Sequence, residues 1–199
     1  MKTNIYLIRH AESTANAEGL FGGLTDYNLS NYGLKQADKL ALKLKDVNVD
    51  IIYSSPLKRA IQTITPTARM MNKKVNISDD LREIYLGKWE NRLISELKSS
   101  YPIETNYIEK TEYYIGIDEQ EEVSNVAKRM TSAIRKIALE NCNSNVIITS
   151  HSVAIKAFLC STMNIPFEQT KEKTVYLGNT SIVKLVFDNV KCKFEITQN

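Results

Sequence analysis

This chain of 199 residues has only two histidines and three cysteines, no apolar run of membrane-spanning length, and almost no surplus of one charge over the other. Cys142, Cys160 and Cys192 are odd in number, far apart and outside any metal-ligand spacing, which excludes a disulfide framework and points to free thiols in a reducing cytoplasm. A net charge of +3, from 26 basic and 23 acidic residues, is too weak a field to recruit nucleic acid or a membrane surface. Any anion site must therefore be local. The first apolar run is of strand length and is interrupted by Arg9, so neither a signal peptide nor a membrane span is expected. Repeats, low-complexity tracts and linkers are missing as well. With 43% hydrophobic and 25% charged residues, the chain can bury most of its apolar surface as one domain over 1–199 without disulfides or metals.

What is there starts with the two histidines. Each stands at the exit of a short apolar run, Ile5-Tyr6-Leu7-Ile8-Arg9-His10 and Val146-Ile147-Ile148-Thr149-Ser150-His151. Such runs read as buried parallel strands, and ligands of parallel sheets bind beyond the strands' carboxyl ends. Both imidazoles then face one crevice, with Arg9 as a fixed cation beside them. Ser30 opens a helical pattern through Leu34, Ala37, Leu40, Ala41 and Leu44, and Asp50-Ile51-Ile52-Tyr53 follows as a strand. Ser55-Pro56 is expected to start the next helix with proline in its first turn and Arg59 close behind; Pro66 should kink or end it. Leu81 to Leu86 reads as a third short stretch. Residues 90–118 form a polar, tyrosine-rich helical excursion, a candidate lid. Glu121 to Leu139 is helical, the His151 strand leads into another helix, and Thr180 to Ile196 is a hairpin turning at Asp188-Asn189. The expected fold class is α/β: a three-layer α/β/α sandwich with a mainly parallel sheet and an antiparallel hairpin edge.

The exits of these elements collect Arg9, His10, Arg59, Glu83 and His151. Arginine presents a planar fork of donors that matches phosphate oxygens, so two of them beside strand ends imply a tetrahedral oxyanion. Read without context, Arg59 is a solvated helix residue and Glu83 a surface carboxylate.

In series, these residues resemble a known family. Arg9-His10-Ala11-Glu12-Ser13 with Asn16, Gly23, Asp26, Leu29 and Gly33, then Tyr53 to Ala60, Leu81-Arg82-Glu83 through Gly87-Lys88-Trp89-Glu90, Ser150-His151-Ser152 and Gly178-Asn179-Thr180-Ser181 are similar to five successive motifs of the histidine phosphatase superfamily, in its phosphoglycerate mutase-like branch. The resemblance implies a nucleophilic His10 that forms a phosphohistidine. It implies a phosphate pocket of Arg9, Arg59 and His151 with Asn16, and Glu83 as the proton donor to the leaving group. Gly22, Gly23 and Ser152 fall among the substrate-binding positions. No cofactor and no metal are implied; two arginines in the same pocket would repel a cation. The implied partner is a small phosphorylated substrate such as a sugar phosphate, a phosphoglycerate or an α-ribazole-type phosphate. A homodimer is compatible with the sequence, which leaves the oligomeric state open.

Departures from the family pattern set further expectations. Ala11 and Ser152 stand where the family usually has glycine, and their Cβ atoms are tolerable only if φ is negative. Leu20 and Gly22 replace polar residues of many relatives, and Gln120-Glu121-Glu122 puts acidic charge near the expected rim; both argue against highly anionic substrates. Trp89, Tyr101, Tyr107, Tyr113 and Tyr114 are candidates for a stacking rim, or for the packing of the excursion itself. Two alternatives to hydrolysis stay open: phosphoryl transfer of the mutase kind, for which the chain looks short, and a phosphate-binding protein that has lost turnover.

Overall fold

The computed structural model describes residues 1–198. A six-stranded sheet is built from β1 (Lys2–Arg9), β2 (Ile51–Ser54), β3 (Val75–Ile77), β4 (Asn145–Ser150), β5 (Ile182–Asp188) and β6 (Lys193–Gln198), in the spatial order β3-β2-β4-β1-β5-β6. The first four are mutually parallel, and β5 and β6 run antiparallel at one edge. Neighbouring residues of the central strands face opposite layers. Ile5, Leu7, Val146 and Ile148 enter one core with α6 (Val123–Glu140) and α7 (Ser152–Met163), whereas Ile8 and Ile147 enter the other with α2 (Asn31–Leu44) and α3 (Lys58–Met70). This is the expected three-layer α/β sandwich with a mostly parallel sheet.

Local chemistry sets the helix starts. The Ser30 hydroxyl accepts from the Gly33 amide at 2.9 Å and begins α2. Ser13 and Asn16 form a reciprocal capping box on the short helix α1 (Thr14–Glu18). Two expectations are corrected. Helix α3 starts at Lys58 with Leu57 as its cap, so Ser55-Pro56 lies outside it, and Pro66 sits inside without ending it. The buried face of Ala60, Thr63, Ile64, Thr67 and Ala68 carries the helix past the proline to Met70. Leu81 to Leu86 contains no strand; the sheet edge is β3, three residues long with two of them exposed, too short and too polar to show a period.

Residues 90–118 contain two helices, α4 (Ile94–Ser100) and α5 (Pro102–Thr111), which pack on each other. The last short helix, α8 (Thr170–Lys173), precedes the hairpin, which turns through residues 189–192. All three cysteines are unpaired. No helix among the described residues is long and apolar enough to cross a membrane.

Candidate active site

The register of the sheet brings the two histidines together. Arg9 of β1 is level with Ser150 of β4, and the His10 amide donates to the Ser150 carbonyl at 3.0 Å. His10 and His151 therefore leave adjacent strands on the same rung, with ring centroids 5.1 Å apart. From the other side, Asn179 Nδ2 donates to the His10 carbonyl at 3.0 Å and the Thr180 amide to the Arg9 carbonyl at 3.1 Å.

His10 lines a cleft of about 290 Å³ together with Arg9, Arg59, Glu83, Asn16 and Ser152. Its Nδ1 lies 2.6 Å from the Ala11 carbonyl oxygen. A carbonyl only accepts, so Nδ1 carries the proton and Nε2 is left with the lone pair. Burial, then the charges of Arg59 and Arg9, hold the His10 pKa well below its ordinary value, against a smaller opposing effect of the Ala11 carbonyl. The ring is thus neutral at physiological pH. Burial and Arg59 likewise hold the His151 pKa down. His151 is fully buried, with Nε2 at 2.7 Å from the Ser55 hydroxyl and Nδ1 without a partner.

Both arginines are anchored on backbone oxygens. Arg59, 3% exposed, donates to the Gly23 carbonyl at 2.7 Å and the Thr25 carbonyl at 2.8 Å; Arg9 donates to the Leu177 carbonyl at 2.5 Å. The loop that receives Arg59 is itself tied by Glu90, whose carboxylate accepts from the amides of Leu24, Thr25 and Leu86 and from the Thr25 hydroxyl. Gly23 is obligatory here, since a Cβ on it would stand 2.0 Å from Glu90 Oε1 and 2.6 Å from the Ile84 carbonyl. Gly22 lines the cleft beside it.

Glu83 sits at the amino end of α7. Its carboxylate accepts from the amides of Val153 at 3.2 Å and Ala154 at 2.9 Å in the first turn of that helix, and from the neighbouring Ile84 amide at 3.0 Å. The segment that carries it is clamped from behind by Arg129 of α6. That guanidinium donates to the carbonyls of Asp80, Arg82 and Glu83 at 2.7–3.0 Å and grips both carboxylate oxygens of Glu121.

Several sequence expectations change on this geometry. Ala11 is absent from the cleft wall: its methyl packs with Leu29 and Ala37, and its amide donates to the Thr63 hydroxyl at 2.8 Å. Neither Ala11 nor Ser152 has positive φ, so the missing glycines impose no strain. Glu121 adds no free acidic charge at the rim, because Arg129 pairs it in a largely buried bridge. Of the five aromatic residues proposed for a rim, Tyr114 lines the cleft, while Trp89 is buried and packs against Tyr101 and Phe21. Tyr107 and Tyr113 pair with each other. Asn16 reaches the cleft, but its Oδ1 is engaged by the Ser13 amide at 3.1 Å, which leaves its amide nitrogen as the available donor. Ser55, Glu90 and Arg129 complete the site, and sequence reasoning assigned none of them these contacts. For Ser55 a signal existed: it follows β2, whose Ser54 is level with Thr149, so it leaves the sheet beside His151.

The sequence matches the histidine phosphatase superfamily (branch 1) over residues 5–199. It is 32% identical over 161 residues to phosphoserine phosphatase 1 of Hydrogenobacter thermophilus, covering 81% of this chain and 76% of that one. To the 2,3-bisphosphoglycerate-dependent phosphoglycerate mutase of Thermoplasma acidophilum it is 32% identical over 179 residues, covering 89% and 84%. Among solved structures, the phosphoserine phosphatase of Entamoeba histolytica in complex with 3-phosphoglyceric acid superposes with a TM-score of 0.83 at 27% identity, covering 98% and 95% of the two chains. YhfR of Bacillus stearothermophilus superposes with a TM-score of 0.89 at 25% identity, over the same shares.

Proposed function

Because the chain belongs to the histidine phosphatase superfamily, branch 1, we propose that it is a metal-independent phosphomonoesterase working through a phosphohistidine on His10. The observation that carries this is the 2.6 Å contact of His10 Nδ1 with the Ala11 carbonyl, which assigns the ring proton to Nδ1 and reserves Nε2 for phosphorus in a cleft shared with Arg9, Arg59 and Glu83. Nε2 attacks, the N–P bond forms as the ester P–O bond breaks, and the departing alkoxide takes a proton from Glu83. Water then attacks phosphorus, Glu83 takes up its proton, the N–P bond breaks and inorganic phosphate leaves. Arg9 and Arg59 hold the equatorial oxygens and offset the charge that a metal would otherwise neutralise.

Chain length does not separate hydrolysis from phosphoryl transfer, since 84% of the Thermoplasma mutase is covered. The charge of the cleft favours hydrolysis. A mutase must retain a phosphoglycerate in two orientations and so needs a cation beyond the phosphate site, whereas the cations lining this cleft are Arg9 and Arg59 alone. Phosphate release from p-nitrophenyl phosphate in EDTA tests the proposal. Turnover that vanadate inhibits is expected; saturable vanadate binding without release would make the chain a phosphate-binding protein instead.

The clamp behind Glu83 yields a further prediction. Arg129→Lys keeps the charge but loses the fork that holds three carbonyls and Glu121. A misplacement of the acid by about 1 Å is worth up to about 100-fold in rate. The variant should therefore lose roughly 10- to 100-fold in kcat with little change in KM, as measured by steady-state kinetics on an alkyl phosphate.

A further inference from the structure

A second cavity of about 300 Å³ adjoins the catalytic cleft beneath α4 and α5, and Phe21, Ile94 and Tyr114 line both. The rest of its wall combines Ile108 and Thr105 with three charged groups, Lys98, Glu109 and Glu112. Each charge already has a partner within the protein: Lys98 with Glu109, and Glu112 with the buried Lys156. On the cleft side the wall includes the apolar side chains of Leu20, Phe21, Leu86, Ile94 and Val153. Burial, reinforced by Glu83 and Glu112, pushes the Tyr114 hydroxyl pKa up, so that the ring at the junction stays neutral.

We infer that this adjoining cavity is the subsite for the alcohol portion of the substrate, and that it takes an uncharged, apolar alcohol in preference to a carboxylate-bearing one. The inference rests on the phosphatase proposal and adds the substrate class. With Arg9 and Arg59 occupied by the phosphoryl group, a carboxylate on the leaving alcohol would find no unpaired cation, since Lys98 is held by Glu109 and Lys156 by Glu112. Its desolvation would go uncompensated. An alkyl or aryl group instead covers the faces of Phe21, Ile94, Ile108 and Tyr114. The relatives named for phosphoserine and phosphoglycerate handle leaving groups of the disfavoured kind, so the preference distinguishes this chain from them.

The test compares phosphate esters of primary alcohols, which holds leaving-group chemistry similar: ethyl phosphate, n-hexyl phosphate and 3-phosphoglycerate, with p-nitrophenyl phosphate as a control for turnover. Four added methylenes in a matched apolar site are expected to raise kcat/KM for hexyl over ethyl phosphate by roughly 30-fold or more. Hexyl phosphate should exceed 3-phosphoglycerate by about 100-fold, the scale of an uncompensated buried charge. Ile108→Ala should reduce the hexyl-to-ethyl ratio several-fold, and Lys98→Ala should leave the hexyl-to-phosphoglycerate ratio no lower than in wild type. A flat ratio between hexyl and ethyl phosphate, or a preference for 3-phosphoglycerate that Lys98→Ala removes, would overturn the inference while p-nitrophenyl phosphate turnover still upheld the phosphatase. Loss of turnover on all four esters would bring down both together.

Discussion

His10→Ala is expected to lower phosphate release from p-nitrophenyl phosphate by roughly 10,000-fold or more, since removal of an attacking nucleophile leaves only binding and charge stabilisation. Vanadate binding should survive, because Arg9 and Arg59 are held by the carbonyls of Leu177, Gly23 and Thr25 and not by the imidazole. The wild-type pH profile supplies an independent check. Burial and two neighbouring guanidinium groups keep His10 neutral well below the ordinary imidazole range. As pH falls through about 6.5, where a free imidazole would protonate, the nucleophile stays in its reactive form. The acid limb of kcat/KM assignable to His10 should therefore lie below that value. A profile that collapsed at pH 6.5 would show that the buried imidazole keeps an ordinary pKa, and a His10→Ala protein with more than a few per cent of wild-type turnover would remove His10 from the nucleophile's role.

The second large effect concerns Glu83. Glu83→Gln keeps an oxygen for the amides of Ile84 and Ala154 but loses the transferable proton. For an alkyl phosphate, whose alkoxide must be protonated on departure, kcat/KM should fall by roughly 100- to 10,000-fold. For p-nitrophenyl phosphate the phenolate departs unaided, so kcat/KM, which reports steps up to the phosphoenzyme, should fall far less. Its kcat should still drop, because hydrolysis of the phosphoenzyme needs a base. Equal losses in kcat/KM for both esters would show that Glu83 holds the α7 terminus together and does not transfer a proton.

The parts of this site legible in the sequence are those that follow from short-range periodicity. His10 and His151 end apolar runs, and a parallel sheet places such ends together. Glu83 was legible only through its resemblance to a family motif, because residues 81–86 have no regular secondary structure to give them a period beyond Leu81. Arg129 was not legible at all. On paper it is one more basic residue in an amphipathic helix, and its function depends on three carbonyls more than forty residues away in the chain. Ser55 shows the opposite failure: Ser-Pro is a common helix start, and that local signal concealed the hydroxyl's partner in His151. Contacts between distant segments decide such cases, and a linear pattern does not carry them.

The placement of β1 bears on how the molecule is made. Ile5 is level with Val146 on one side and with Leu185 on the other, so β1 has no strand neighbour until two segments far later in the sequence have been synthesised. Parallel pairing across such separations closes long loops and is slow. Until then β1 is an apolar segment with both edges bare, the kind of species that chaperones hold and that aggregates at high expression. Soluble yield in a heterologous host should depend more on synthesis rate and temperature than on final stability. Substitutions that weaken the β1–β5 pairing should show first as lost yield.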